Sequence, residues 1–296
     1  MRILISGVDG NVGREIVNQL AKKKIYELFL LTNKKNKKIK NFKIFYQNLT
    51  KPINLKLKPD AVIHCAAKHR FSKIGNNMRS IYSTNIKMTK NLINFCNKNK
   101  VKKLIFLSSV DVYGQVRNKI LIENLAPLKP DLYGKSKFIS EKLFCNGNNK
   151  FKTICLRIPG IFTFNLNKNH PLIIKIVKLI MSNQNVYTYN LGKKFNNILD
   201  VKEITKFIMI ALNKKKIKSN IYNFSASSPI QFIYLIRLLK KMLKSKSKII
   251  NIKPKKNSFI ISNKKISHDF NLKISSTKNI VTRCCRQIVN KSNIAI

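Results

Sequence analysis

Along the first half of the chain, short apolar runs alternate with longer stretches whose apolar positions recur every three or four residues. The runs Arg2–Ser6, Glu27–Thr32, Phe42–Tyr46, Ala61–Cys65, Lys103–Ser108 and Thr153–Ile158 read as strands. Between them, Gly13–Lys23, Ile81–Lys98 and Gly134–Phe144 carry the spacing of amphipathic helices. This alternation predicts βαβ units and a parallel sheet. After Pro159 the order loosens. Leu172–Met181, Val201–Leu212 (with Asp200 as its cap) and Phe232–Leu243 read as helices, and Ile221–Phe224 as a further strand. The lysine-rich stretch Ser245–Asn257 reads as a loop.

The 296 residues suit one nucleotide-binding domain with a smaller lobe. We expect a first domain over 1–160 and a lobe over 161–296, with 195–224 returning to the first domain. No stretch approaches the roughly 18 apolar residues of a membrane span. Met1-Arg2 leads straight into a strand-length run rather than a signal peptide, so a cytoplasmic location is expected.

Composition changes this picture less than its extremity suggests. There are 60 Lys and Arg against 11 Asp and Glu, a formal charge of +49. Such a balance raises a nucleic-acid partner. The cations, however, are mostly lysine and run along the whole chain, together with abundant asparagine and isoleucine. All three have A/T-rich codons, so a biased genome accounts for the pattern, and no specific nucleic acid is expected. The competing reading is a non-catalytic or RNA-binding protein of the same fold that uses its basic surface. Six cysteines show no metal-ligand spacing, no metal site is expected, and reduced thiols are the default.

The first strand ends in Ser6-Gly7-Val8-Asp9-Gly10-Asn11-Val12-Gly13-Arg14. Glycines between a strand and a helix allow a tight turn, let backbone approach a pyrophosphate, and let helix and strand pack closely. The helix start then offers free N–H groups and the positive end of its dipole. Position after an N-terminal strand gives this Gly-x2-Gly-x2-Gly spacing its weight. At the end of the second strand, where an acid holds the ribose of NAD, the chain reads Thr32-Asn33-Lys34-Lys35. NAD and NADP both stay open, with the lysines tilting the reading toward NADP.

Tyr133 and Lys137 lie four residues apart and share a helical face. A tyrosine, with its usual pKa of about 10, is a poor base at neutral pH. A neighbouring ammonium and an oxidised nicotinamide both favour the phenolate. Tyr133 is then a candidate general base or acid on a substrate hydroxyl or ketone. Ser109, at the end of the fifth strand, would orient the same oxygen, and Lys137 would hydrogen-bond the nicotinamide ribose.

Taken in order, several segments resemble the extended short-chain dehydrogenase/reductase family, in its nucleotide-sugar epimerase/dehydratase branch. They are Gly7-x2-Gly10-x2-Gly13, Asp60-Ala-Val-Ile-His64-Cys-Ala-Ala67, Asn85, Ser108-Ser109-Val-Asp-Val-Tyr113-Gly114, Tyr133-Gly-Lys-Ser-Lys137 and Leu156-Arg157-Ile-Pro159. The resemblance implies a Rossmann doubly wound parallel sheet with a smaller, mixed C-terminal substrate lobe. It implies catalysis by Ser109, Tyr133 and Lys137. The cofactor site would comprise Gly7, Gly10, Asn11, Val12 and Gly13 at the pyrophosphate, with Asn33, Lys34, Asn48, Leu49, Ala66, Ala67 and Asn85. Tyr133, Lys137 and Pro159 would lie at the nicotinamide end. His64 reads as a packing residue at a strand end rather than an acid or base.

Departures from the family narrow the chemistry. The dehydratases carry Thr-Asp-Glu where this chain has Ser109-Val110-Asp111, so the acid that protonates the leaving hydroxyl is missing. Epimerisation at C4 and reduction of a 4-keto sugar remain, because both need only hydride transfer. Ala67-Lys68-His69-Arg70-Phe71 and the short C-terminal half resemble the 4-keto reductases of surface-polysaccharide pathways. The implied substrate is a nucleotide sugar. A homodimer through Ile81–Lys98 and Gly134–Phe144 is also implied, although the net charge opposes self-association.

Overall fold

A computed structural model describes residues 1–34, 42–69, 78–163, 172–254 and 257–292. In chain order the elements are β1 (Arg2–Ser6), α1 (Asn11–Ala21), β2 (Glu27–Thr32), β3 (Lys43–Tyr46), β4 (Ala61–His64), α2 (Met78–Lys98) and β5 (Lys103–Ser109). A 3-10 turn (Val110–Tyr113) follows, then β6 (Ile120–Leu121), α3 (Leu132–Phe144), β7 (Lys152–Ile158), α4 (Leu172–Met181), β8 (Val186–Thr188) and β9 (Lys194–Phe195). The chain continues with α5 (Val201–Asn213), β10 (Asn220–Asn223), β11 (Ile230–Gln231), α6 (Phe232–Met242), β12 (Ile249–Asn251), β13 (Ile260–Ile261), α7 (Lys264–Phe270) and α8 (Thr277–Ser292).

Seven strands form one sheet in the order β10-β7-β5-β4-β1-β2-β3. β1 pairs in parallel with β2 on one side and β4 on the other, and β2–β3 and β4–β5 are parallel too. The strand order reverses between β1 and β4, the doubly wound arrangement in which a crevice opens at the carboxyl ends of those strands. Ser6 of β1 lies opposite His64 of β4 at that edge. Strand interiors are largely apolar because helices cover the sheet. Leu4, Val62, Leu104 and Cys155 meet Leu92, Phe95 and Phe144 of α2 and α3 in one buried cluster.

The described chain divides into two compact units. The first comprises Met1–Gln115, Ala126–Arg157 and Ile204–Tyr222, and contains most of the large sheet. The second comprises Val116–Leu125, Ile158–Glu203 and Asn223–Ile296. It is built from α4, α6 and α8, together with the short pairs β8–β12, β9–β11 and β6–β13. Ile173, Ile176 and Val177 of α4, Leu235 and Leu239 of α6, and Ile280, Val281 and Cys284 of α8 are buried. Asp200 accepts the Glu203 N–H at 3.0 Å, the expected cap of α5, and also receives Arg283 at 2.7 Å.

Ser245–Asn257 is not simply a loop, since Ile249–Asn251 forms β12 in parallel register with Val186–Thr188. Among the described residues, no helix is long and apolar enough to cross a membrane. All six cysteines are free thiols, and Cys145 Sγ lies 3.7 Å from Cys155 Sγ.

Candidate active site

The glycine turn after β1 is set by backbone contacts. Gly7 has φ +78°, and a Cβ there would stand 2.4 Å from the Ala66 nitrogen, so the turn lies directly on the chain leaving β4. A Cβ on Gly13 would stand 2.3 Å from the Gly7 carbonyl oxygen, which fixes α1 against the same turn. Gly10 differs. It is exposed, and the nearest atom to a Cβ there is the Gly7 oxygen at 3.4 Å. Gly10 also precedes α1 in an extended conformation with no side-chain cap, and the first turn carries no acid. Helix N–H groups and dipole therefore face the open side of Gly10, a place that could hold a pyrophosphate.

The remaining residues expected at the cofactor divide into several kinds. Asn11 and Val12 open α1 and are half-buried, as is Ala66, while Ala67 is exposed. Asn33 and Lys34 are exposed beyond β2. Asn48 uses its side-chain oxygen to cap a turn, accepting from the N–H and hydroxyl of Thr50, each at 2.9 Å. Leu49 is buried in the apolar cluster. Asn85 is a clamp. Its oxygen accepts the Lys68 N–H at 2.8 Å, and its amide donates to the Lys68 carbonyl at 3.2 Å and to Ser136 Oγ at 3.0 Å. It ties the loop after β4 to α3. Pro159 is buried just past β7, in the second unit. Lys35, Arg70 and Phe71 lie outside the described residues.

Ser109 ends β5 and caps the 3-10 turn, accepting the Asp111 N–H at 3.1 Å. Helix α3 begins at Leu132 because Asp131 caps it, accepting the Gly134 N–H at 2.8 Å. A Cβ on Gly134 would lie 2.2 Å from the Asp111 carbonyl oxygen, so only glycine lets α3 rest directly on the turn that follows Ser109. That contact brings the Tyr133 end of the helix to the Ser109 end of the strand. Tyr133 is buried, with its ring 4.6 Å from that of His69. Lys137 is also buried. Its ammonium donates to the Leu107 carbonyl at 2.8 Å, lies over the Phe106 ring at 4.5 Å, and sits 5.9 Å from the Tyr133 ring centre. Burial lowers the Lys137 pKa to about 8, with the charges of Cys65 and Glu141 acting in the opposite sense.

His64 stacks on Phe106 at 5.5 Å and shares a 2.7 Å hydrogen bond with the Ser6 hydroxyl. Burial, and then the Lys137 charge, push its pKa down to about 3, so the ring stays neutral and packs.

Sequence reasoning did not single out the layer beneath these groups. Glu141, one turn beyond Lys137, accepts the Ser108 hydroxyl and the Arg157 guanidinium. Arg157 lies over the Tyr113 ring at 4.9 Å. Burial works against its charge, but the Glu141 carboxylate and the Tyr113 hydroxyl hold its pKa above the ordinary value. Ser108, Tyr113 and Arg157 fall in the family-like segments, and Glu141 is signalled by its i+8 position from Tyr133, an acid on the buried face of a helix.

The chain and its fold are similar to those of known proteins. The chain is 27% identical over 251 residues to a UDP-glucose 4-epimerase of Mycoplasma genitalium, an alignment covering 76% of this chain and 73% of that one. It is 30% identical over 269 residues to a dTDP-D-glucose 4,6-dehydratase of Dictyostelium discoideum, covering 77% of this chain and 59% of the other. The fold matches the crystal structure of a UDP-glucose 4-epimerase with UDP-glucose from Thermotoga maritima. The TM-score is 0.81 at 18% identity, over 99% of both chains. The sequence pattern of the NAD dependent epimerase/dehydratase family matches residues 3–224, and the protein belongs to that family.

Proposed function

We propose that the protein moves a hydride to and from C4 of a nucleotide sugar, as a 4-epimerase or a 4-keto-sugar reductase, with Ser109, Tyr133 and Lys137 as its catalytic residues. One observation carries this reading. The Lys137 ammonium is buried and held to the β5 backbone at Leu107, two residues before Ser109 and one helical turn from Tyr133.

The bound nicotinamide would supply the hydride acceptor or donor. Tyr133 takes the proton from the sugar hydroxyl as the carbinol is oxidised, and returns it when the ketone is reduced. Lys137 stabilises the phenolate through its charge in a site where burial weakens solvent screening. The Ser109 hydroxyl orients the reacting oxygen. Gly7, Gly10 and Gly13 with the start of α1 hold the pyrophosphate, and Asn85 acts through the loop it clamps. Val110 stands where a dehydratase needs its acid, so similarity to a 4,6-dehydratase does not extend to elimination of water.

The test is cofactor turnover with UDP-sugars and their 4-keto forms. A protein that binds neither NAD nor NADP would end this reading. Retention of oxidised cofactor through purification favours the epimerase, which regenerates it each cycle, and exchange of a reduced cofactor favours the reductase. We place the reaction in the cytoplasm. α2 and α3 are joined by the polar pairs Asn85–Ser136 and Thr89–Ser140. A homodimer through these helices is checked by the mass of the protein in solution.

A further inference from the structure

No acid follows β2, where the ribose of NAD is ordinarily held, yet a carboxylate stands there. Asp9, between Gly7 and Gly10 of the turn, accepts a hydrogen bond from the hydroxyl of Thr32, the last residue of β2. The Thr32 oxygen is itself occupied by the Lys34 N–H at 3.1 Å, which directs the hydroxyl proton to Asp9. Thr32 is 3% exposed and Asp9 is half-buried. The glycine turn thus presents an anchored negative charge at the strand end.

Resting on the reading of this turn as a dinucleotide site, we propose that Asp9 selects NAD over NADP. Its carboxylate, held by Thr32, replaces the missing strand-end acid. Asp9 Oδ1 is buried and Oδ2 already accepts from Thr32, so the carboxylate acts through its charge, which repels a 2′-phosphate at that place. Among the described residues, two cations stand nearby. Arg14 donates to the Asp9 carbonyl at 3.3 Å, and Lys34 follows the strand. Both side chains are exposed, so water and salt screen their pull on a phosphate. The anchored carboxylate is screened less and decides the preference. The tilt toward NADP suggested by Lys34 and Lys35 is thereby reversed.

The experiment is calorimetric titration of the whole protein with ADP-ribose and with 2′-phospho-ADP-ribose, at low and at high salt. The wild type should bind ADP-ribose at least about tenfold tighter, most clearly at high salt, where the lysines count least. Asp9→Asn keeps the shape but removes the charge, and should bring the ratio close to one. Thr32→Val releases the carboxylate and should move the ratio the same way. Melting curves identify any variant that does not fold, and the wild-type ratio stands as a test without them. Equal binding or a phosphate preference in the wild type overturns the role of Asp9, as does an unchanged ratio in folded Asp9→Asn. Failure of the wild type to bind either ligand removes the dinucleotide site itself.

Discussion

Arg157 reaches Glu141 at 2.8 Å, with 2% and 0% of the two side chains exposed, and so fastens α3 to β7. Glu141 also accepts from Ser108, so the helix bearing Tyr133 and Lys137 is pinned to two strands through one carboxylate. A buried pair of this kind can be neutral against apolar residues of equal size, but removing one partner leaves an uncompensated charge. Glu141→Ala should therefore cost about 3–5 kcal/mol, read from urea unfolding. The double variant Glu141→Met with Arg157→Met should recover much of that loss. If the double variant is as unstable as the sum of the two single ones, the interaction is not the source of the cost.

Lys137 makes stability depend on pH in a defined window. Its folded pKa of about 8 lies below the unfolded 10.5, so the buried ammonium works against the fold. That cost is present in full below pH 8 and is relieved between pH 8 and 10.5, where the unfolded chain holds more protons and stability rises. In the cofactor-free protein, Lys137→Met should raise stability at pH 7 by up to roughly 3 kcal/mol, less the lost bond to Leu107, and the gain should fade toward pH 10.5. A gain that is flat with pH would contradict a desolvated ammonium. The same titration should lower activity above pH 8, as the charge that favours the Tyr133 phenolate is lost.

Gly134 sets how closely α3 approaches the turn after Ser109. Gly134→Ala places a methyl 2.2 Å from the Asp111 carbonyl oxygen and 3.2 Å from the Cβ of Pro130, with no flexible side chain to yield. We expect a loss of about 1–3 kcal/mol in stability. Displacement of Tyr133 from Ser109 should lower kcat by about tenfold or more, since small misplacements at a reacting centre cost rate steeply. Normal kcat in a folded Gly134→Ala variant would show that this contact does not set the site.

Much of the fold is legible in the sequence, for reasons that particular elements make plain. β1, β2 and α4 fall on their expected bounds because apolar runs end abruptly at polar or turn residues. α1 starts at Asn11 rather than Gly13 because Gly10, in an extended conformation, serves as its cap. α8 escapes notice because two residues of its buried side, Cys284 and Cys285, are cysteines and not aliphatic residues. With Ile280, Val281 and Ile288 they form its buried stripe, cysteine acting as a small hydrophobe. The two-residue strands β6, β9, β11 and β13 are too short to show a period. At the site, local spacing reveals Tyr133 and Lys137. Glu141–Arg157 and Asp9–Thr32 join residues 16 and 23 positions apart and exist only once strands and helices are assembled.

The proposed role of Tyr133 is to carry the proton in a hydride transfer to or from a nucleotide sugar. It is tested most directly by the reduced-nicotinamide absorbance when the protein with bound cofactor meets a UDP-sugar or its 4-keto form, in the wild type and in Tyr133→Phe. The wild type should change absorbance, and Tyr133→Phe should be slower by roughly 10²–10⁴-fold while still binding cofactor. An undiminished rate in Tyr133→Phe would contradict the account.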